Sequence, residues 1–116
     1  MTKKFISRSE EYILLAVVRL RAEAYGVAIR NRLTVDTGET WAFGAVHVML
    51  TRLEKKGLLE SYLADPTPQR GGRSKRIYSM TSLGLQTLAQ IKKMQDKVWS
   101  DISESVSYTH LTLPTN

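Results

Sequence analysis

A helix followed by a basic β-hairpin, residues 43–78, constrains the fold more than any other stretch of this chain. In its helical part, apolar residues recur three and four positions apart, which predicts a single buried stripe. That stripe consists of Val46, Met49, Leu50 and Leu53. Gly57 ends the helix, because glycine readily adopts the left-handed backbone that commonly follows a helix. Residues 58–63 and 76–80 then predict two strands, and the loop segment PTPQRGGRSK between them contains cations and no acid.

The other side of this helix carries small, hydrogen-bonding and cationic groups that suit the major groove of duplex DNA. Its candidate contacts are Gly44, Ala45, His47, Val48, Thr51, Arg52 and Lys55. His47 offers a donor to a guanine acceptor, and Val48 offers an apolar contact to a thymine methyl group. A histidine here is also compatible with an exposed, water-bonded side chain that contacts no base.

Four cations within seven residues mark the loop and the start of the second strand. They are Arg70, Arg73, Lys75 and Arg76. Gly71 and Gly72 allow a tight turn, and guanidinium groups on such a tip suit phosphate contacts or insertion into a minor groove. A solvated hairpin tip would explain the loop equally well on its own. Taken together with the preceding helix, the basic loop predicts a mainly α fold with a small β-hairpin wing. Such a fold is a winged helix-turn-helix, and we expect it to bind double-stranded DNA.

Two helices are predicted before this stretch. Ser9, followed by two acids, predicts the N-cap of a first helix that ends near Ala22. Its predicted buried positions are Ile13, Leu14, Val17, Val18 and Leu20. Residues 24–26 are predicted to restart the chain, and the second helix is predicted to run to about Thr37, with Tyr25, Ile29 and Leu33 on one face. The turn of residues 39–42 is predicted to hold a residue of strand. Trp41 in this turn is interpreted as a core or hinge anchor rather than as a platform for a ligand.

A long final helix is predicted after the hairpin, with Thr81 as its N-cap and Leu85 among its apolar positions. Its candidate dimerisation residues are Leu88, Ile91, Val98, Trp99 and Ile102. Because three helices and a wing do not need so long an apolar helix, a second copy of the chain is its simplest partner. Trp99 has two interpretations, an apolar interface anchor or a platform on which a planar aromatic effector stacks.

These patterns divide the chain into three parts. Residues 1–80 are predicted to form a winged helix-turn-helix DNA-binding domain, and residues 81–104 a C-terminal dimerisation helix. Residues 105–116, SVSYTHLTLPTN, do not continue the helical pattern and are interpreted as a non-native or disordered tail.

Composition limits the class of protein. The 116 residues suffice for one domain with a modest core, and 17 Lys and Arg against 11 Asp and Glu give a net charge of +6. That excess favours a polyanionic partner, although a basic domain alone is weak evidence for nucleic acid. The longest apolar run, residues 13–18, is too short to span a membrane, and residues 1–4 lack a signal peptide's apolar stretch. We therefore expect a cytoplasmic protein.

Nothing in the sequence indicates an enzyme. There is no cysteine, hence no disulfide and no thiolate ligand or nucleophile. The histidines and carboxylates are not grouped as a metal site requires, and there is no nucleophile elbow or phosphate-binding glycine loop. We expect no catalytic residues, no metal and no cofactor.

The runs GAVHVMLTRLEKKGLLES and DPTPQRGGRSKRIYSMTSLG resemble the PadR family of bacterial transcriptional regulators, in particular its short, single-domain members. The N-terminal run ILLAVVRLRAEAYGVAI is similar to the family's first helix and its Tyr-Gly entry into the second. The resemblance covers roughly residues 9–102. The family usually has tyrosine where this chain has His47, and often proline or threonine where it has Val48. The resemblance implies a transcriptional role, and small-molecule effectors for some members.

Two functions remain as hypotheses. The first is a homodimeric repressor that binds an inverted-repeat operator and is released by a small-molecule effector. The second is a winged-helix interaction module whose positive face binds an acidic protein partner. A specific operator should outcompete random duplex by several decades in the first case and not in the second.

Overall fold

Four α-helices and one antiparallel hairpin form the fold in the part of the chain that the computed structural model describes, residues 6–65, 74–102 and 106. In chain order these are α1 (Arg8–Leu20), a short 3-10 turn (Arg21–Glu23), α2 (Gly26–Thr37), α3 (Phe43–Lys55), β1 (Leu59–Leu63), β2 (Arg76–Met80) and α4 (Ser82–Trp99). The mainly α fold with a hairpin wing is confirmed. The wing tip and almost all of the predicted tail, residues 105–116, lie outside the described residues.

The N-cap of α1 is Ser7, so the prediction of Ser9 was wrong. The Ser7 hydroxyl accepts a hydrogen bond from the Glu10 amide at 3.1 Å, and the Glu10 carboxylate accepts one from the Ser7 amide at 2.9 Å. This reciprocal capping box needs an acid or amide three residues after the cap. Ser9 has Tyr12 at that position, so it cannot form the box.

Helix α1 ends at Leu20, two residues before the predicted end. Arg21 has a positive φ of 54°, which stops the helix before the 3-10 turn. Val18 is exposed and Leu20 only partly buried, so the predicted burial of Val18 was wrong. The apolar arc of α1 is wider than the side that the core covers.

The core lies where α1, α2 and α3 meet the hairpin. Its largest fully buried side chains are Ile13, Leu14, Val17, Ile29, Leu33, Val46, Leu50, Leu53, Leu58 and Leu59. Met49 of the predicted stripe is partly buried against this cluster. Since burying one such side chain contributes about 1.5 to 3 kcal/mol, the stripe of α3 holds that helix firmly to α1 and α2.

The hairpin pairs Leu59 with Met80 and Leu63 with Arg76 at the two ends of its register. A further strand-like residue pairs with β2, but it is Tyr25 rather than a residue of the 39–42 turn. Tyr25 forms an isolated antiparallel bridge with Ile77. The reason is local, because Tyr25 is the N-cap of α2 and has an extended backbone, with φ −111° and ψ 165°.

The turn between α2 and α3 is closed by two features. Gly38 ends α2 in the left-handed conformation, with φ of 74°. Trp41 packs partly buried against the core, and its indole Nε1 donates a hydrogen bond to the Thr37 hydroxyl at 2.9 Å. The predicted role of Trp41 as an anchor is confirmed.

Helix α4 begins at the predicted cap and then leaves the core. The Thr81 hydroxyl accepts from the Gly84 amide at 3.0 Å and donates to the Gly57 carbonyl at 2.6 Å. Farther along, Gln95 Nε2 donates to the Glu11 carboxylate at 3.2 Å. The helix ends at Trp99, so Ile102 does not continue its spacing as predicted. None of the helices in the described residues combines the length and apolarity that a membrane crossing requires.

Candidate nucleic-acid interface

The outward side of α3 presents every candidate contact of that helix at the surface. Gly44, Ala45, His47, Val48, Thr51, Arg52 and Lys55 are all exposed. The opposite side is buried through Val46, Leu50 and Leu53, which are at most 1% exposed. A helix held by one apolar stripe therefore displays one continuous side that combines methyl, hydroxyl, imidazole and cationic groups.

The N-terminus of α3 has open backbone donors. Its N-cap is Ala42, which has no side chain able to accept from the first-turn amides. A Cβ atom added at Gly44 would meet nothing within 4 Å. Uncapped amides at the positive end of a helix attract anions such as phosphate. Our sequence reasoning missed this feature, although the absence of Ser, Thr, Asp or Asn at the cap of α3 could have indicated it.

Glu10 was also missed as part of this region, because its position after a serine indicated a role only at the start of α1. Its side chain is 4% exposed and lies beneath the C-terminal end of α3. Lys56 Nζ lies 3.3 Å from both carboxylate oxygens, and Arg52 Nη1 lies 4.0 Å from Oε2. Glu10 thus joins the capping box of α1 to the last turn of the candidate recognition helix.

The pKa of Glu10 reflects this environment. Burial raises it, whereas hydrogen bonds from the Ser7 backbone and the Lys56 ammonium lower it, and the net pKa lies below the ordinary value of 4.5. Glu10 is therefore ionised at neutral pH and attracts both neighbouring cations.

The cations at the base of the hairpin contact protein groups. Lys75 Nζ lies 3.6 Å from the centroid of the Tyr25 ring. Arg76 Nη1 donates to the Ser61 hydroxyl at 2.9 Å, and Ser61 donates to Glu54 Oε2 at 2.8 Å. The other two wing candidates, Arg70 and Arg73, lie outside the described residues.

The candidate dimerisation residues fall into two groups. Leu88 packs against the core of its own chain, and Ile91 is half-buried. Val98, Trp99 and Ile102 are 68%, 46% and 48% exposed. Further exposed apolar side chains lie on α1 and α4, namely Leu15, Val18, Leu85 and Met94. The described residues therefore leave apolar side chains exposed on α1, along α4 and just beyond its end.

Other kinds of site have little support in the described part of the chain. Two open grooves flank α1, one against the end of α2 and one against α4, and Trp99 lines neither. No cluster of three or more His, Cys, Asp or Glu residues that could hold a metal ion occurs among the described residues.

Solved structures of low sequence identity share this fold. RosR of H. salinarum is 20% identical, with a TM-score of 0.69 over 95% of this chain and 98% of RosR. A PadR family transcriptional regulator from Eggerthella lenta is 24% identical, with a TM-score of 0.61 over 91% of this chain and 87% of that one. A PadR-like transcriptional regulator from Bacillus cereus is 22% identical, with a TM-score of 0.63 over 91% and 93%.

The family is established by the sequence itself. No curated protein matches the chain. The model of the transcriptional regulator PadR-like family, however, matches residues 14–90. That match runs from α1 through α3 and the hairpin into α4, and the winged helix fold agrees with it. The chain belongs to the PadR-like family of transcriptional regulators.

Proposed function

We propose that the chain is a sequence-specific DNA-binding repressor, which binds an inverted-repeat operator as a homodimer. The observation that carries the proposal is the exposed side of α3, where all seven candidate contacts face away from the core. A major groove about 12 Å wide admits one α-helix. Family membership supports the transcriptional role.

Different parts of α3 have different tasks in this proposal. Gly44 and its neighbouring amides allow close approach of the helix N-terminus to a phosphate. His47 and Val48 meet base edges, since the N-terminal part of a recognition helix reaches the groove floor. Arg52 and Lys55 lie one to two turns later and contact the phosphate backbone.

The hairpin supplies the second contact region. We assign phosphate or minor-groove contacts to Arg70 and Arg73, on the evidence of the sequence. The described base of the hairpin supports this assignment, because β2 is anchored to α2 and to α3 on its two sides. The DNA-binding domain of this proposal comprises residues 1–80.

Residues 81–104 form the dimerisation part of the proposal. Val98, Trp99 and Ile102 expose large apolar surfaces that a second copy of the chain would cover. A two-fold dimer presents two recognition helices, which matches the symmetry of an inverted repeat. We assign Trp99 as an interface anchor. A planar aromatic effector that stacks on it would couple ligand binding to dimer geometry.

The test is a competition between duplexes. The duplex upstream of the chain's own gene, mapped by footprinting, competes with a scrambled duplex of equal length across a salt series. We expect the upstream duplex to bind more tightly by about three decades or more. Equal affinities at every salt concentration would contradict the proposal and favour a module that binds an acidic protein partner.

A matched pair of variants locates the interface. Lys55→Ala removes an exposed cation of α3, and Lys93→Ala removes an exposed cation of α4. Because each phosphate contact adds about 0.9 to the salt slope, Lys55→Ala should flatten it by about that amount. Lys93→Ala should leave it unchanged. Equal salt slopes in the two variants would mean that the DNA does not contact Lys55.

A further inference from the structure

The base of the hairpin is tied to the start of α2 by three contacts. Lys75 Nζ lies 3.6 Å from the centroid of the Tyr25 ring. Tyr25 also pairs with Ile77, and the Tyr78 amide donates to the Ala24 carbonyl at 2.8 Å. Since Ala24 is fully buried, this attachment point moves only with the core.

The neighbouring residue of β2 is tied to the recognition helix. Arg76 donates to the Ser61 hydroxyl, which in turn donates to Glu54 of α3. Lys75 directly precedes β2, and the two neighbouring cations reach different partners, the Tyr25 ring and the Ser61 hydroxyl. Together these contacts determine how the hairpin lies relative to α3.

We propose that Tyr25 is a positioning residue for DNA binding, because its ring holds the Lys75 ammonium and thereby orients the wing. The inference rests on the proposed function and deepens it, since it gives Lys75 an orienting role in place of a phosphate contact. A cation within about 6 Å of an aromatic centroid is attracted by the ring quadrupole. Both side chains are only partly exposed, which limits screening of this attraction by water.

The proposal makes a specific demand on the ring. Phenylalanine keeps the quadrupole and leucine removes it, so Tyr25→Phe should retain the contact and Tyr25→Leu should lose it. Lys75→Met keeps most of the side chain's length and removes its charge. If the two residues act as one unit, the double variant Tyr25→Leu with Lys75→Met should bind no more weakly than either single variant.

The experiment measures affinity of the full-length variants for sheared genomic duplex DNA and for the upstream duplex across a salt series. We expect Tyr25→Leu and Lys75→Met each to weaken binding about threefold to tenfold, and Tyr25→Phe to match the unsubstituted chain. A direct phosphate contact by Lys75 would instead flatten the salt slope by about 0.9 in Lys75→Met and leave Tyr25→Leu unaffected. That pattern, or additive losses in the double variant, would overturn the positioning role.

Hydrogen exchange of the Tyr78 amide gives a readout that does not depend on DNA. This amide bridges the junction to Ala24, so its exchange should accelerate in Tyr25→Leu and Lys75→Met and stay slow in Tyr25→Phe. If Tyr25→Leu does not fold, Lys75→Met carries the same test, and unchanged exchange there would overturn the role. If the unsubstituted chain bound no duplex at all, the proposed function as a whole would be overturned. That result differs from the ones that would overturn only the positioning role of Tyr25.

Discussion

At the scale of single residues, the most consequential side chain of the described structure is the buried carboxylate of Glu10. It accepts from the Ser7 amide and lies 3.3 Å from Lys56 Nζ, so it serves α1 and the end of α3 together. A charge taken out of water is tolerated only when its partners replace the lost solvation. Here a backbone amide and an ammonium replace it.

Glu10 should make folding stability sensitive to acid. The pKa of Glu10 is lower in the folded chain than the ordinary value of 4.5. The ionised carboxylate therefore contributes its full stabilisation of the fold above pH 4.5, and this stabilisation is lost as the pH falls through the folded pKa. Glu10→Gln should lower the free energy of unfolding by about 1 to 3 kcal/mol at neutral pH. Urea titrations measure the free energy of unfolding of both proteins, and the difference between the two values should shrink as the pH is lowered. A difference independent of pH would show that the charge is irrelevant.

Gly84 should be intolerant of any side chain. A Cβ atom there would overlap the Leu58 carbonyl oxygen and lie 3.0 Å from Met80 Cε. Gly84→Ala should therefore lower the free energy of unfolding by about 1 to 3 kcal/mol, although alanine is the better helix former.

Gly44→Ala is the matched control for this substitution, because a Cβ there meets nothing within 4 Å. It should leave stability unchanged or raise it by up to about 1 kcal/mol. Thermal unfolding of both variants measures the contrast. Equal losses would mean that contact with Leu58 is not what restricts Gly84.

His47 should influence sequence choice more than general affinity. Its side chain is exposed and Leu50 and Leu53 hold the helix, so His47→Ala should leave the fold intact. One good base contact is worth about 1 to 3 kcal/mol of discrimination. The operator is competed against a scrambled duplex for both proteins at one salt concentration. An unchanged ratio would assign base recognition to other residues of α3.

At the scale of elements, α3 and the hairpin behave as one unit. The Thr81 cap of α4 bonds to Gly57, the residue that ends the turn after α3. Glu54 of α3 is bonded to Ser61 of β1. Such contacts tie the described base of the hairpin and the start of α4 to the end of α3.

The wing prediction belongs to this scale. Replacing Arg70 and Arg73 together with alanine should weaken binding to all duplexes alike, because phosphate contacts carry no sequence information. The salt slope should flatten by about 1 to 2 units. The salt slope is measured by titrating DNA affinity against salt concentration for the double variant, with Lys93→Ala as the control. An unchanged slope would argue against phosphate contacts at the tip.

At the scale of the whole molecule, the distal half of α4 exposes large apolar side chains, among them Met94, Val98 and Trp99. In the described residues of α4 itself, only Gly84 is buried. A contiguous exposed apolar patch usually marks an interaction site. A second copy would cover it with the same kind of surface.

We expect a stable homodimer at micromolar concentration, measured by analytical ultracentrifugation. Replacing Val98 with Ser and Trp99 with Ala should shift the equilibrium toward monomer, because both lose apolar area at the interface. Val35→Ser is the matched control, since Val35 is 71% exposed but lies on α2. A monomeric unsubstituted chain would contradict the dimer, and an equal shift in the control would contradict its location.

Local patterns in the sequence determined the elements of this protein. The three-four stripe of Val46, Leu50 and Leu53 predicted both the helix and its exposed side, because helical periodicity alone sorts residues into two faces. Thr81 and Gly57 marked helix boundaries by short-range chemistry. The basic loop and the family resemblance led to the regulator class, and the family match confirmed it.

Only the tertiary structure decided which distant groups meet. The contact of Glu10 with Lys56 spans 46 positions, and that of Lys75 with Tyr25 spans 50. No spacing rule within one element reaches so far. The capping box at Ser7 could have been found from its motif, but the exposure of Val18 could not have been predicted from the sequence. Whether an apolar residue of α1 is buried depends on how much of that helix its neighbours cover.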